Sequence, residues 1–347
     1  MSTPAYPLVC LGNPLLDIQV NVDDAYLKKY DLKANDAILV EDKHMPIFDE
    51  VVKLDNVAYI AGGAAQNAAR GAAYVLPENS VVYFGSVAAD QYMDELLKEN
   101  DKAGVTSKYQ VHGKDSGLAT GKCAALITGQ DRSLVTDLNA ANHFELEHLK
   151  KPANWDIVEK AKVYYIGGFH LTVCPPAIQA LVEHAAETNK IAIMNFSAPF
   201  LCQFFKEPLD AAVPYLDYVI CNESEAEAYA ESHDLKTKDV AEIAQHISNI
   251  EKKNTQRKRI VLVTQGLEPT IVATQGASQV QKFNVVELDK SKIKDTNGAG
   301  DAFAGGFVGA LVEGKSLEEA IKVGQWLAAE SIQLLGPSFP YPKKSPQ

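Results

Sequence analysis

"LDYVICNESEAEAYAESHD", Leu216 to Asp234, is where the fold can be read most directly. Leu216 to Asn222 is β-rich and apolar on consecutive positions, which suits a strand covered on both faces. It passes straight into Glu223 to Asp234, whose spacing is helical. At the junction Asn222 and Glu225 form an N-x-x-E pattern, close to a capping box. A doubly covered strand feeding a helix is half of a βαβ unit.

The same alternation extends in both directions. "YPLVCLG", "SVVYFGSV", "AKVYYIGG", "KIAIMNF" and "RIVLVTQG" repeat the strand pattern, and "DQYMDELLKENDKAG", "PPAIQALVEHAAETN" and "KDVAEIAQHISNIEKK" the helical one. The chain therefore predicts an α/β body with a parallel sheet and helices on both faces. Two stretches break the pattern. Leu16–Leu54 and Gly117–Asn142 contain period-2 strands, and "TGQD" in the second reads as a hairpin turn. We expect residues 16–54 and 117–142 to form a small β-sheet lid on a body of residues 1–15, 55–116 and 143–347.

The chain has 347 residues and a formal net charge of -12, which excludes the basic footprint of a nucleic-acid binder and disfavours an anionic membrane surface. The five cysteines form no C-x-x-C pair and read as reduced thiols. Without a secretory leader pattern or an apolar run of roughly 18 residues, the expected location is the cytoplasm, with the nucleus left open.

"KDTNGAGDAFAGGF", Lys294 to Phe307, places a glycine-rich turn at the mouth of a helix. Free N–H groups at a helix start, helped by the helix dipole, attract anions, and glycine lets an anion approach closely. Asp301 stands in the first turn beside that anion, where the helix terminus should depress its pKa. The plain alternative is an ordinary acidic helix start. No Walker A loop and no G-x-G-x-x-G after a strand occurs.

"DTNGAGDAFAGGF" is similar to the C-terminal signature of the ribokinase-like sugar and nucleoside kinases. "AGGAAQNAARGAA" (Ala61–Ala73) resembles the Gly-Gly motif of that family and "CNESEAE" (Cys221–Glu227) its N-x-x-E motif; the likeness runs from Pro7 to Pro342. Within the family, "GNPLLDI", "DKH", "RSLVTDLNAAN", "GGFHLTV", "NFSAPF" and "DTNGAGD" look like the branch that phosphorylates adenosine. The resemblance implies a three-layer α/β/α body with a mostly parallel sheet, a β-lid, and transfer of the γ-phosphoryl group of ATP, with Mg²⁺, to the 5′-hydroxyl of adenosine. A sugar kinase of the same fold and a nucleoside binder without turnover are the alternatives. A monomer is expected, since the lid needs no partner chain.

Site roles follow from the resemblance. Asp301 is the expected general base, Arg132 on the lid reaches the phosphate, and Gly298, Ala299 and Gly300 supply N–H groups to the developing charge. Asp17, Gly63 and Asn67 hold the ribose hydroxyls, with Asn13 and Asn297 beside them. Cys123, Leu134, Leu138, Phe169 and Phe200 enclose the nucleoside. Asn195, Asn222, Thr264, Gly266 and Gln325 fall to ATP, and Mg²⁺ is held through water near Asn222 and Glu225. Two positions depart from the family: His170 stands where a second aromatic is usual, and Gln325 where mammalian relatives carry histidine. His143 and His148 lack the companions a metal site needs, and their segment reads as a solvated helix start.

Overall fold

The computed structural model describes residues 6–34, 36–129 and 131–346. Its strands are β1 (Leu8–Leu11), β2 (Leu15–Asn21), β3 (Ala37–Leu39), β4 (Ala58–Gly62), β5 (Val81–Ala88), β6 (Val105–His112) and β7 (Lys122–Thr128). They continue with β8 (Asp131–Asp137), β9 (Val163–Gly167), β10 (Ile191–Asn195), β11 (Tyr218–Asn222), β12 (Ile260–Gln265), β13 (Glu268–Thr274) and β14 (Gln281–Phe283).

Nine strands form one sheet in the order β14-β13-β12-β11-β10-β9-β1-β5-β6. From β12 to β6 every pairing is parallel. The reason lies in the strand composition. Leu8 and Cys10 of β1 enter one apolar core with Val81, Tyr83, Val163 and Tyr165. Val9 and Leu11 enter the opposite core with Val82, Phe84, Tyr164 and Ile166. Alternate side chains point to opposite faces, so a strand clothed on both faces must be apolar throughout. The six apolar runs all became strands of this sheet. The antiparallel strands β13 and β14 were not anticipated; they extend its edge beyond the turn at Gly266.

The second sheet has the order β3-β8-β7-β2-β4. Its β7 and β8 are antiparallel, with Thr128 opposite Asp131; Gln130 of the expected turn lies outside the described residues. The boundary expected after residue 54 falls short. Leu15–Gln19 pair with Ala58–Gly62, so the small sheet continues to Gly62, where the next helix begins.

Helices Ala64–Val75 and Ala299–Val312 lie against each other on one face of the large sheet. A Cβ at Gly305 would stand 2.5 Å from the Ala68 carbonyl oxygen and 2.8 Å from the Gly71 Cα. Only glycine permits backbones that close. This contact joins two motifs that are far apart in the chain.

Candidate active site

The carboxyl ends of the parallel strands converge on two connected cavities, as open α/β sheets tend to bind ligands. A cavity lies between the ends of β1 and β9 and the small sheet. Gly12, Asn13, Gly167 and Phe169 form its floor; Ile38, Leu39, Cys123, Leu134, Thr136 and Leu138 come from the small sheet or its edge. Phe169 and Phe200 stand 6.1 Å apart at 49°, flanking it. A wider cleft is walled by Asn195, Asn222, Glu225, Thr264, Arg132 and the turn Thr296–Gly300. Asn297 and Asp301 line both, so they stand at the junction.

Asp301 is placed by the helix it begins. Its Oδ2 accepts the side-chain N–H of Asn67 at 2.9 Å. The Oδ1 of Asn67 accepts from Arg70 at 2.7 Å, and the same Arg70 nitrogen donates to the Ala61 carbonyl at 2.6 Å. Sequence reasoning missed Arg70, although it lies one turn beyond Asn67 in the Gly-Gly motif. Burial pushes the Asp301 carboxyl up to about 7, while Asn67 and Arg70 pull the other way. The expected depression is therefore overturned, because loss of water around the carboxylate outweighs the Asn67 hydrogen bond and the Arg70 charge.

Two further carboxyls are raised to about 7. Asp17 is raised chiefly by burial, with Arg70 and Arg132 opposing and Asp301 and Asp295 adding to the rise. Glu225 is raised chiefly by burial; its hydrogen bond from the Asn222 backbone opposes this and the Asp301 charge adds to it. Asn222 and Glu225 form a full capping box: the Asn222 N–H donates to Glu225 Oε2 at 3.0 Å, and the Glu225 N–H to Asn222 Oδ1 at 2.8 Å. The cap and a place on the cleft wall coexist.

At the glycine-rich turn, Gly298 is the left-handed N-cap, φ +75°. The Ala299 N–H donates to the Thr296 carbonyl at 3.2 Å, so one of the three expected donors is already engaged. The N–H groups of Gly298 and Gly300 have no acceptor among the described residues.

Other expected residues fall differently. Asn13 lines the first cavity, but its amide donates to the Phe169 carbonyl at 3.1 Å and its Oδ1 meets His170 Nδ1 at 2.7 Å. Its amide holds the floor in place. His170 is fully buried behind that floor, against Phe144, with burial pulling its pKa down to about 3. Gly63 caps the helix Ala64–Val75 with φ +86°. Asn195 and Thr264 reach the cleft, whereas Gly266 and Gln325 line neither cavity. Gly266 makes the turn after β12, and the Gln325 amide donates to Thr270 and to the Phe283 carbonyl, both at 3.2 Å. His148 is buried, with Nε2 3.0 Å from the Lys108 carbonyl oxygen, so it is not part of a solvated helix start. Among the described residues no group of three or more His, Cys, Asp or Glu is placed to hold a metal directly.

A parallel sheet with an apolar, lidded cavity joined through one carboxylate to an anion-receiving turn defines a small-molecule kinase. The chain belongs to the pfkB family of carbohydrate kinases, whose model matches residues 24–344. It is 53% identical over 345 residues to the adenosine kinase of Saccharomyces cerevisiae, covering 98% of each chain. The structure of Anopheles gambiae adenosine kinase in complex with P1,P4-di(adenosine-5) tetraphosphate superposes with a TM-score of 0.93 at 40% identity, covering 97% of this chain and 99% of that one. Adenosine kinase from Schistosoma mansoni in complex with adenosine and AMP gives a TM-score of 0.90 at 35% identity, covering 97% and 98%.

Proposed function

We propose that this chain transfers the γ-phosphoryl group of ATP to the 5′-hydroxyl of adenosine, giving AMP and ADP, a step of purine salvage. The observation that carries the reading is the position of Asp301 at the meeting point of an apolar, aromatic-flanked cavity and a polar cleft. Adenosine lies in the first with its base against Phe169 and Phe200, and ATP extends along the second. Asp17, Gly63 and Asn67 face the ribose. Asp301 accepts the proton of the attacking hydroxyl; a carboxyl titrating near 7 is well matched to that task at neutral pH. Asn67 occupies one of its oxygens and leaves the other for the hydroxyl. The Gly298 and Gly300 N–H groups face the charge that develops on the transferring oxygens, and Arg132 approaches it from the small sheet.

The oxygen-rich donor set suits a hard cation held through water: Glu225 and Asp301 line the same cleft, and the Asp301 charge adds to the rise of the Glu225 carboxyl, a cost that a nearby cation would relieve. Glu225 and Asn222 are the residues that would hold the waters of Mg²⁺. An ion held there with ATP would supply positive charge against the phosphoryl oxygens. Closure of the small sheet over the cavity excludes water from the acceptor. We place the protein in the cytoplasm as a monomer. All five cysteines are buried free thiols, in keeping with a reducing compartment, and no described helix is long and apolar enough to cross a membrane.

The test is ADP release from Mg·ATP with adenosine, guanosine, ribose and fructose 6-phosphate supplied separately. ADP and AMP with adenosine alone are expected. Turnover only with a sugar overturns the acceptor, and adenosine binding without ADP release overturns the activity.

A further inference from the structure

Asp295 opens the turn that ends in Asp301, is 8% exposed, and gathers three donors from three parts of the chain. Its Oδ1 accepts the Asn297 N–H at 2.9 Å. Its Oδ2 accepts the Gly336 N–H at 2.7 Å and Arg132 Nη2 at 2.8 Å. Arg132 comes from β8 in the small sheet, Asn297 from the turn before the reacting helix, and Gly336 from the segment after helix Leu317–Ser331. The Arg132 side chain is 12% exposed and lies on the wall of the polar cleft. Its other terminal nitrogen, Nη1, is buried with no acceptor among the described residues.

A guanidinium is a flat fork, and a carboxylate on one prong fixes the plane and direction of the other. We propose that Asp295 is a positioning residue for phosphoryl transfer: it holds Nη2 of Arg132 and leaves Nη1 for an oxygen of the phosphoryl group in transit. The proposal rests on the reading above that Arg132 serves that group. The same carboxylate fixes the Asn297 N–H, one residue before Gly298. Donors arriving from the small sheet and from the glycine-rich turn are thus referenced to one point. Without Asp295, Arg132 hangs on a rotatable stem from the small sheet, and its approach to the phosphoryl group depends on chance orientation.

The test compares kcat and the adenosine KM for Arg132→Ala, Asp295→Asn and the double variant. Arg132→Ala should lower kcat about 10³-fold. Asp295→Asn, which removes the charge and leaves one acceptor oxygen where Asn297 uses Oδ1 and Gly336 and Arg132 use Oδ2, should lower kcat about 10²-fold with the adenosine KM unchanged. In the double variant kcat should fall no further than in Arg132→Ala alone, because both changes remove one device. An additive loss in the double variant, or an unchanged or raised kcat in Asp295→Asn, overturns the proposal. An unchanged kcat in Arg132→Ala removes the reading beneath it instead. Should Asp295→Asn fail to fold, Arg132→Lys decides. One ammonium cannot serve carboxylate and phosphoryl group as a rigid fork, so kcat should fall nearly as far as in Arg132→Ala. A kcat near that of the parent protein overturns the proposal.

Discussion

The cavity and the cleft that meet at Asp301 are walled by different material. In the cavity the surface is apolar side chain, much of it supplied by the small sheet, and the polar groups of Asn13 and Asn67 are bonded to their neighbours. The cleft shares Leu134, Phe169 and Phe200 with the cavity but adds carboxylate, amide and backbone N–H, and the Gly298 and Gly300 donors have no acceptor among the described residues. The first can recognise a shape but has few groups left to react. The second can stabilise charge but has little shape to discriminate with. Changes in the cavity should therefore appear in the KM of the acceptor, and changes in the cleft in kcat.

The largest effect tests the carboxylate both regions share. Asp301→Asn keeps the shape and the bond from Asn67 but removes the base, and kcat should fall about 10²- to 10⁴-fold in an ADP-release assay. A variant that turns over normally would remove the junction from the mechanism.

Within the cleft, the two glycines should separate stability from chemistry. An alanine at Gly300 meets nothing within 4 Å, so Tm should hold, while its methyl group enters the anion space and lowers kcat about 10²-fold. An alanine at Gly298 must adopt a left-handed backbone and meet the Pro337 Cβ at 2.6 Å. It should cost about 2 kcal/mol, read as a lower denaturation midpoint. Equal melting temperatures for the two variants would contradict this separation.

In the cavity, Phe200→Ala removes one flank of the proposed adenine site. The adenosine KM should rise about 10-fold, the loss expected for one uncovered aromatic contact, with kcat nearly preserved. A drop confined to kcat would mean that the two regions are not divided as described.

The smallest effect concerns pH. Asp17, Glu225 and Asp301 have folded-state values raised to about 7, above those of free carboxyls. Their contribution to stability is present in full below about pH 4 and is lost as pH rises through about 7. Asp301→Asn should therefore raise Tm by about 2 °C at pH 8 and by less at pH 5, measured without ligands. An equal change at both pH values would contradict the raised carboxyl.

The two regions also differed in how far the sequence disclosed them. The large sheet was legible because a strand covered on both faces must be apolar at every position, as in Val163–Gly167. The small sheet was legible only in outline. Ala37–Leu39 is three residues long, and Ala58–Gly62 is assigned by its pairing with Leu15–Gln19 rather than by its own pattern. Asp301 could be found from its motif, but the direction of its pKa shift could not, since burial depends on chain brought from elsewhere. Asp295 lay inside a quoted motif and went unassigned because two of its partners, Arg132 and Gly336, are far away in the chain, whereas Arg70 was missed although Ala61 and Asn67 lie in its own motif. Gln325 shows the limit of likeness in another way: the position was assigned without its neighbours, and its amide is bonded to Thr270 and Phe283 at the sheet edge.

The glycine contact between helices Ala64–Val75 and Ala299–Val312 has a mechanical consequence. Asn67 and Asp301 ride on separate helices, and the 2.9 Å between their side chains is only as constant as the spacing of those two rods. At Gly305 and Gly71 that spacing is set by backbone touching backbone, which has almost no compliance. A single methyl group added there touches neither cavity, yet it would act as a shim, lifting the Asp301 carboxylate away from the Asn67 amide bonded to it. The tolerance of the reaction centre is thus set at a point that no substrate reaches.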